Sequence, residues 1–255
     1  MTRPPSAPVT LRCGDCLTLL PELAGEFGPF DHIITDPPYE SVHHDHHARA
    51  SIRRTDGLAA PRGVSFDGID AIRDRAAREM VCAARGWVLV FCLAEGVRAW
   101  RDALQAAGAR WHGTLAWIKP DASPRFDGTG PARGFECIAC AWAGPGRRRW
   151  NRGGARGVYT CLTAKGGHVA AKPEALMTAL VGDFTQRGQI ICDPFMGSGT
   201  TGLAALRLGR GFCGVEKDPS TYSAAQARLA MAARMPPLRL PEPPAVQAQL
   251  PLEIL

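Results

Sequence analysis

The apolar run Phe30 to Thr35 (FDHIIT) stops abruptly at Asp36-Pro37-Pro38-Tyr39. The run reads as a buried strand. Two consecutive prolines lack the backbone N–H groups that a sheet needs, so the chain must leave the sheet at Asp36. A carboxylate, two proline-fixed carbonyls and an aromatic ring are left at the strand's C-terminal end, the edge at which open α/β sheets take their ligands. Acceptors for an amino group beside a flat surface for a ring suit chemistry on the exocyclic amine of a nucleobase.

The rest of the chain repeats the alternation of strand and helix. Strands are expected at Val9–Cys13, Trp87–Phe91, Trp111–Lys119, Phe135–Ala143, Gln189–Cys192 and Phe212–Val215, besides the run before Asp36. Helical spacing covers Cys16–Ala24, Ile69–Ala84, Ala94–Ala107, Lys172–Phe184, the stretch up to Leu208, and Pro219–Ala233. About seven strands and six helices in alternation argue for a three-layer α/β sandwich, Rossmann-like, around a mostly parallel sheet. At 255 residues and 45% hydrophobic content, one such domain is expected. It should occupy residues 1–235, with small insertions at about 40–67 and 121–165, and a proline-rich tail at 236–255.

No apolar run approaches a membrane span, and the first residues lack a signal peptide's apolar stretch, so a cytoplasmic location is expected. Nine cysteines suit a reducing compartment. Cys137 and Cys140 sit three apart on a strand and point to opposite faces, so they cannot share an ion. His43, His44, Asp45, His46 and His47 lie in the polar loop Glu40–Asp67, read as a solvated segment facing an anionic partner; no metal site is assigned. A second basic loop, Gly144–Gly157, carries Arg147, Arg148, Arg149, Arg152 and Arg156 around Trp150. It is read as a source of phosphate contacts, with Trp150 available to stack or wedge. The net charge of +6 is compatible with a polyanionic partner.

A second signal is the strand–loop–helix segment Asp193-Pro194-Phe195-Met196-Gly197-Ser198-Gly199-Thr200-Thr201. Gly197 and Gly199 let backbone approach a ligand closely. The segment has no Gly-Lys-Ser/Thr for a triphosphate. About twenty residues on, the next strand ends in Glu216-Lys217, which places a carboxylate to take two ribose hydroxyls. Such a site wants a nucleoside with little or no phosphate, a description that S-adenosylmethionine fits.

DPPY at Asp36–Tyr39, DPFMGSGTT at Asp193–Thr201 and GVEKD at Gly214–Asp218 together resemble the amino-group DNA methyltransferases. The catalytic motif precedes the cofactor loop, as in their beta-ordered subgroup. GDCL at Gly14–Leu17 and HVAAKPEALM at His168–Met177 are similar to that family's flanking cofactor motifs, and the resemblance spans roughly residues 9–230. It implies the class I S-adenosylmethionine-dependent fold, with seven strands and a late antiparallel hairpin. It implies that Asp193, Pro194, Phe195, Gly197, Ser198, Gly199 and Thr200 line the cofactor pocket. Glu216 and Lys217 would close the ribose side and Asp15 and Cys16 the adenine side, Lys172 would open the helix beside the methionine end, and Asp36 would also border the cofactor. Asp36, Pro37, Pro38 and Tyr39 would hold a flipped base, and Arg147, Arg148, Arg149, Trp150 and Arg152 would face DNA.

The resemblance implies methyl transfer to N6 of adenine in double-stranded DNA, with N4 of cytosine as the alternative, since Asp at position 36 leans toward adenine. RNA or protein-amide enzymes usually carry Asn there and place the cofactor loop first. An inactive DNA-binding protein is opposed by the intact motifs. The chain is expected to act as a monomer or homodimer, alone or beside a separate restriction nuclease. The end of the tail, Gln249-Leu250-Pro251-Leu252-Glu253-Ile254-Leu255, resembles peptides that dock on the bacterial sliding clamp.

Overall fold

Every strand expected from the sequence forms, and one more joins them. The structure is a computed structural model that describes residues 8–39, 68–124, 130–164 and 171–237. The strands are β1 (Val9–Cys13), β2 (His32–Thr35), β3 (Trp87–Cys92), β4 (Arg110–Ile118), β5 (Phe135–Trp142), β6 (Val158–Thr160), β7 (Ile190–Asp193) and β8 (Gly211–Glu216). The helices are α1 (Cys16–Phe27), α2 (Arg73–Ala83), α3 (Val97–Ala106), α4 (Glu174–Phe184), α5 (Thr200–Arg207) and α6 (Pro219–Ala233). The sheet has eight strands in the order β1-β8-β7-β2-β3-β5-β4-β6, one more than the seven expected. The addition is the three-residue β6, which pairs with β4 and is too short to announce itself by alternation.

Only β5 runs against the others. The antiparallel hairpin is β4–β5 and lies mid-chain, because the half bearing Asp36 comes first. Both β5 and β6 belong to the main sheet, so the span 121–165 is not an insertion as a whole. The other expected insertion, 40–67, lies outside the described residues, as do His43–His47 and the end of the tail.

Side-chain alternation divides the core in two, as the pleat requires. Ile33, Val88, Val90, Cys137, Ala139 and Cys192 face α1, α2 and α3. Ile34, Leu89, Phe91, Ile138, Cys140 and Ile191 face α4, α5 and α6. Cys137 and Cys140 thus lie on opposite sides of the sheet. The central strands are buried on both faces, which is why their sequences read as unbroken apolar runs. None of the described helices is long and apolar enough to cross a membrane.

The seven co-directional strands end at one edge of the sheet. That edge carries Asp15 after β1, Asp36 after β2, Asp193 at the end of β7 and Glu216 at the end of β8. The basic loop 144–157 emerges at the other edge, because Trp142 at the end of β5 pairs with Trp87 at the start of β3. A strand of β3's length separates the two edges, roughly 20 Å.

Candidate active site

Asp36 and the glycine loop come together because β2 and β7 are neighbours, with His32 opposite Ile191 and Ile33 opposite Cys192. A side-chain bond secures the junction. The Thr35 hydroxyl donates to Asp193 Oδ1 at 2.6 Å. Thr201, in the first turn of α5, donates to Asp193 Oδ2 at 2.6 Å, and the Phe195 amide donates to Oδ1 at 3.2 Å. The buried Asp193 therefore fixes three segments at once. Burial pushes its pKa up to about 7 against the opposing hydrogen bonds of Thr201, Thr35 and Phe195.

The glycine loop is built on left-handed backbone. Gly197 and Gly199 have φ of 50° and 77°. A Cβ at Gly197 would meet nothing within 4 Å, so the loop presents bare backbone to open space there. Glu216 organises it from below. Its Oε2 accepts from the Gly197 amide and its Oε1 from the Asp218 amide, both at 2.9 Å. Arg228 of α6 donates to the Ser198 carbonyl at 3.1 Å and to the Thr200 hydroxyl at 3.3 Å.

Around Asp36 the chain assembles a buried charge network. Lys172 Nζ donates to Asp36 Oδ2 at 2.6 Å and to the Tyr39 hydroxyl at 2.9 Å. The same ammonium lies 3.2 Å from Glu136 Oε2, as an ion pair rather than an aligned hydrogen bond. Lys119 pairs with the other oxygen of Glu136. The side chains of Lys172 and Glu136 are only 9% and 8% exposed. Lys172 also sits 5.2 Å from the Tyr39 ring centre and 4.9 Å from that of Phe91. Two cations and two carboxylates leave the cluster formally neutral, and burial of such groups is tolerated only with pairing of this kind.

The protonation states follow from that balance. Burial works against the Lys172 ammonium, but Asp36 and Glu136 outweigh it and hold the pKa above its usual value. Burial likewise works against the Glu136 carboxylate, but Lys172 and Lys119 outweigh it and hold its pKa low. For Asp36 burial wins, and its pKa is raised despite Lys172. The Tyr39 phenol, buried and facing both carboxylates, is held protonated well above its usual range. One polar atom stands out: Asp36 Oδ1 is shielded from water and has no hydrogen-bond partner among the described residues. The rest of the side chain is 25% exposed, so the carboxyl group lies at the margin of the site. An unsatisfied buried acceptor costs about 1–3 kcal/mol, which an incoming N–H donor removes.

Comparison with known proteins bears on the family and the fold. Residues 145–227, which contain the glycine loop and Glu216, match the family described as DNA methylase. A stretch of 65 residues is 52% identical to the type II methyltransferase M.HindIII of Haemophilus influenzae, and one of 64 residues is 44% identical to M2.DpnII of Streptococcus pneumoniae. These matches support the amino-group DNA methyltransferase family for the stretches they cover. The matched stretches cover 26% and 25% of this chain and span 21% and 24% of those relatives. The fold extends further. The M1.HpyAVI–SAM complex superposes with a TM-score of 0.67 at 23% identity, covering 87% of this chain and 100% of that one. PvuII DNA methyltransferase, cytosine-N4-specific, gives 0.65 at 14% identity, covering 89% and 92%. At these identities the likeness establishes the class I methyltransferase fold.

The residues expected at the site divide into three groups. Asp36, Tyr39, Lys172, Asp193, Phe195, Gly197, Ser198, Gly199, Thr200 and Glu216 stand at one sheet edge. Asp15 and Lys217 meet beside them at 3.8 Å across β1 and β8. Asp15 also caps α1, accepting from the Leu17 amide at 2.8 Å, and the adjacent Cys16 thiol is buried with its pKa pushed up to about 12. Lys172 belongs with Asp36 rather than with the glycine loop, and lies two residues before α4, whose N-cap is Pro173.

The third group stands apart from the other two. Arg147, Arg148, Arg149, Trp150 and Arg152 lie at the edge away from Asp36, and several are engaged by the protein itself. The Trp150 ring packs edge-on against Phe184 at 4.8 Å. The Arg149 carbonyl accepts from the Trp87 indole, and Arg152 pairs with Asp183 at 3.4 Å. Asn151 donates to the carbonyls of Gly182 and Thr185 at 2.8 Å each and so closes the end of α4.

Glu136, Lys119, Thr35 and Thr201 escaped the sequence reading as contributors to the site. Glu136 had a detectable signal, a lone charge inside the otherwise apolar strand Phe135–Trp142. Thr35 had a weaker one, a polar residue closing a buried strand.

Proposed function

We propose that this chain is a site-specific DNA methyltransferase that uses S-adenosylmethionine to methylate the exocyclic amine of a flipped adenine at N6. The observation that carries this reading is the pairing of a half-engaged carboxylate with a glycine-lined space one strand away. Asp36 Oδ2 is occupied by Lys172, while Oδ1 has no partner among the described residues.

The residues suit the cofactor. Bare backbone at Gly197 faces open space, and Glu216, although it holds two amides, retains lone pairs for ribose hydroxyls. When bound, the cofactor supplies an electrophilic methyl group. The chain's own residues do the remaining work. The target amine is a weak nucleophile because its lone pair is delocalised into the ring. Asp36 Oδ1 and the Pro37 carbonyl each accept one amine hydrogen, which favours the tetrahedral nitrogen of the transition state. Once methylated, that nitrogen carries a surplus proton, and Asp36 Oδ1 accepts it before passing it to water. The Tyr39 ring offers a face to the extruded base and offsets part of the few kcal/mol of unstacking.

Cytosine N4 is the second reading, because its amine presents the same two N–H donors to Asp36 and Pro37. Incubating unmethylated genomic DNA with the protein and methyl-labelled cofactor, then digesting to nucleosides, separates the two. Label in N6-methyl-2′-deoxyadenosine supports the proposal, label in N4-methyl-2′-deoxycytidine moves the target to cytosine, and label in neither overturns the function. The segments 40–67 and 119–134 are the proposed sources of sequence recognition, and the tail the proposed clamp contact.

A further inference from the structure

Lys172 raises a question for the reaction. The amine nitrogen gains positive charge as the methyl group arrives, so a bare ammonium bonded to the very carboxylate that stabilises this charge would work against it. The structure surrounds that ammonium with a second carboxylate. Glu136 comes from β5, the one reversed strand, and lies 3.2 Å from Lys172, whose ammonium also meets Asp36 at 2.6 Å. Lys119, at the end of β4, holds Glu136 in turn.

We propose that Lys172 and Glu136 are positioning residues for Asp36. Lys172 locks one carboxylate oxygen so that the other is presented to the target amine, and Glu136 cancels the ammonium's charge so that it does not oppose the cation forming on the nitrogen. This rests on the reading of Asp36 as the group that meets the amine. The neutralised lysine explains why a buried cation is retained here at all, since an apolar residue would fill the space at lower desolvation cost.

The arrangement makes a signed prediction. The groups facing Asp36 are Lys172 ahead of α4, Glu136 of β5 with Lys119 behind it, Tyr39 of its own loop with Cys92 near the ring, and Asp193 of β7. Of these, Lys172 favours the ionised Asp36 and Glu136 disfavours it. If ionised Asp36 is the active form, the rate rises with pH through its pKa. Lys172→Gln must then move the acid limb of the rate profile to higher pH, by about one to three units. Glu136→Gln must move it to lower pH and slow transfer about tenfold or more, with cofactor affinity unchanged. The double variant should fall between them, and Lys172→Arg should keep the wild-type limb.

The test is single-turnover transfer of tritiated methyl to unmethylated genomic DNA by the full chain, across pH, with cofactor binding measured by calorimetry on each variant. Opposite displacement of the two limbs supports the proposal. Displacement in one direction, or two slowed enzymes with unmoved limbs, assigns both residues a merely structural role and overturns it. If Lys172→Gln does not fold, Glu136→Gln decides alone: a limb moved downward supports, and any other position overturns. Absence of transfer by the wild-type chain would instead strike the underlying function, so the two failures are distinct.

Discussion

Asp193→Asn should change how stability depends on pH, and the size of the change can be worked out. Asp193 is 2% exposed and holds Thr35, Thr201 and Phe195 together at the base of the glycine loop. Burial raises its pKa from 3.8 to about 7, with a further push from Asp36. In the unfolded chain the acid therefore ionises near its ordinary value, and in the folded chain only near 7. Between those limits the folded state keeps a proton that the unfolded state has released, so rising pH favours unfolding. The stabilisation is fully present below the unfolded pKa and is lost as pH climbs through the folded one. At about 1.4 kcal/mol per unit, the window of about three units corresponds to about 4 kcal/mol. Asparagine keeps the shape and removes the titration. Urea unfolding of both proteins from about pH 4 to about pH 8 gives the difference directly, because the other titrating groups largely cancel. The wild type should lose about 4 kcal/mol relative to the variant across that range. A difference that stays constant with pH would refute the reasoning.

Three further variants probe other parts of the account. Glu216→Ala removes the acceptor for the Gly197 and Asp218 amides and should weaken S-adenosylmethionine binding about tenfold or more in a calorimetric titration, with the melting temperature little changed. Asn151→Ala should destabilise the fold by about 1–3 kcal/mol in urea, because the ends of the carbonyl ladder at Gly182 and Thr185 lose their donor, while replacing Arg147, Arg148 and Arg149 together with alanine should leave the salt dependence of DNA binding unchanged.

Much of this was legible in the chain. The strand-breaking prolines after Thr35 and the left-handed glycines after Asp193 both mark where backbone must leave regular structure, and such marks survive folding unchanged. The apolar runs Trp87–Phe91 and Phe135–Ala143 announced buried strands. What escaped reading depends on contacts across distant sequence. Lys172 lies 136 positions from Asp36, and nothing local distinguishes a lysine that opens a helix from one that reaches a carboxylate across the sheet. The position of Arg147–Arg152 was hidden for the same reason. Their charge is visible in sequence, but which edge of the sheet they occupy follows from β5 running backwards, a fact of topology. Trp150 was ambiguous for a further reason, since an aromatic ring that stacks on a base and one that packs on Phe184 have the same composition around them.

The most direct test of the central claim, that the free oxygen of Asp36 meets the methyl-accepting amine beside a separate cofactor pocket, is methyl incorporation by Asp36→Ala measured alongside its cofactor affinity. The account predicts transfer to DNA at background level while S-adenosylmethionine still binds within a few-fold of wild type. Incorporation close to wild type would contradict it.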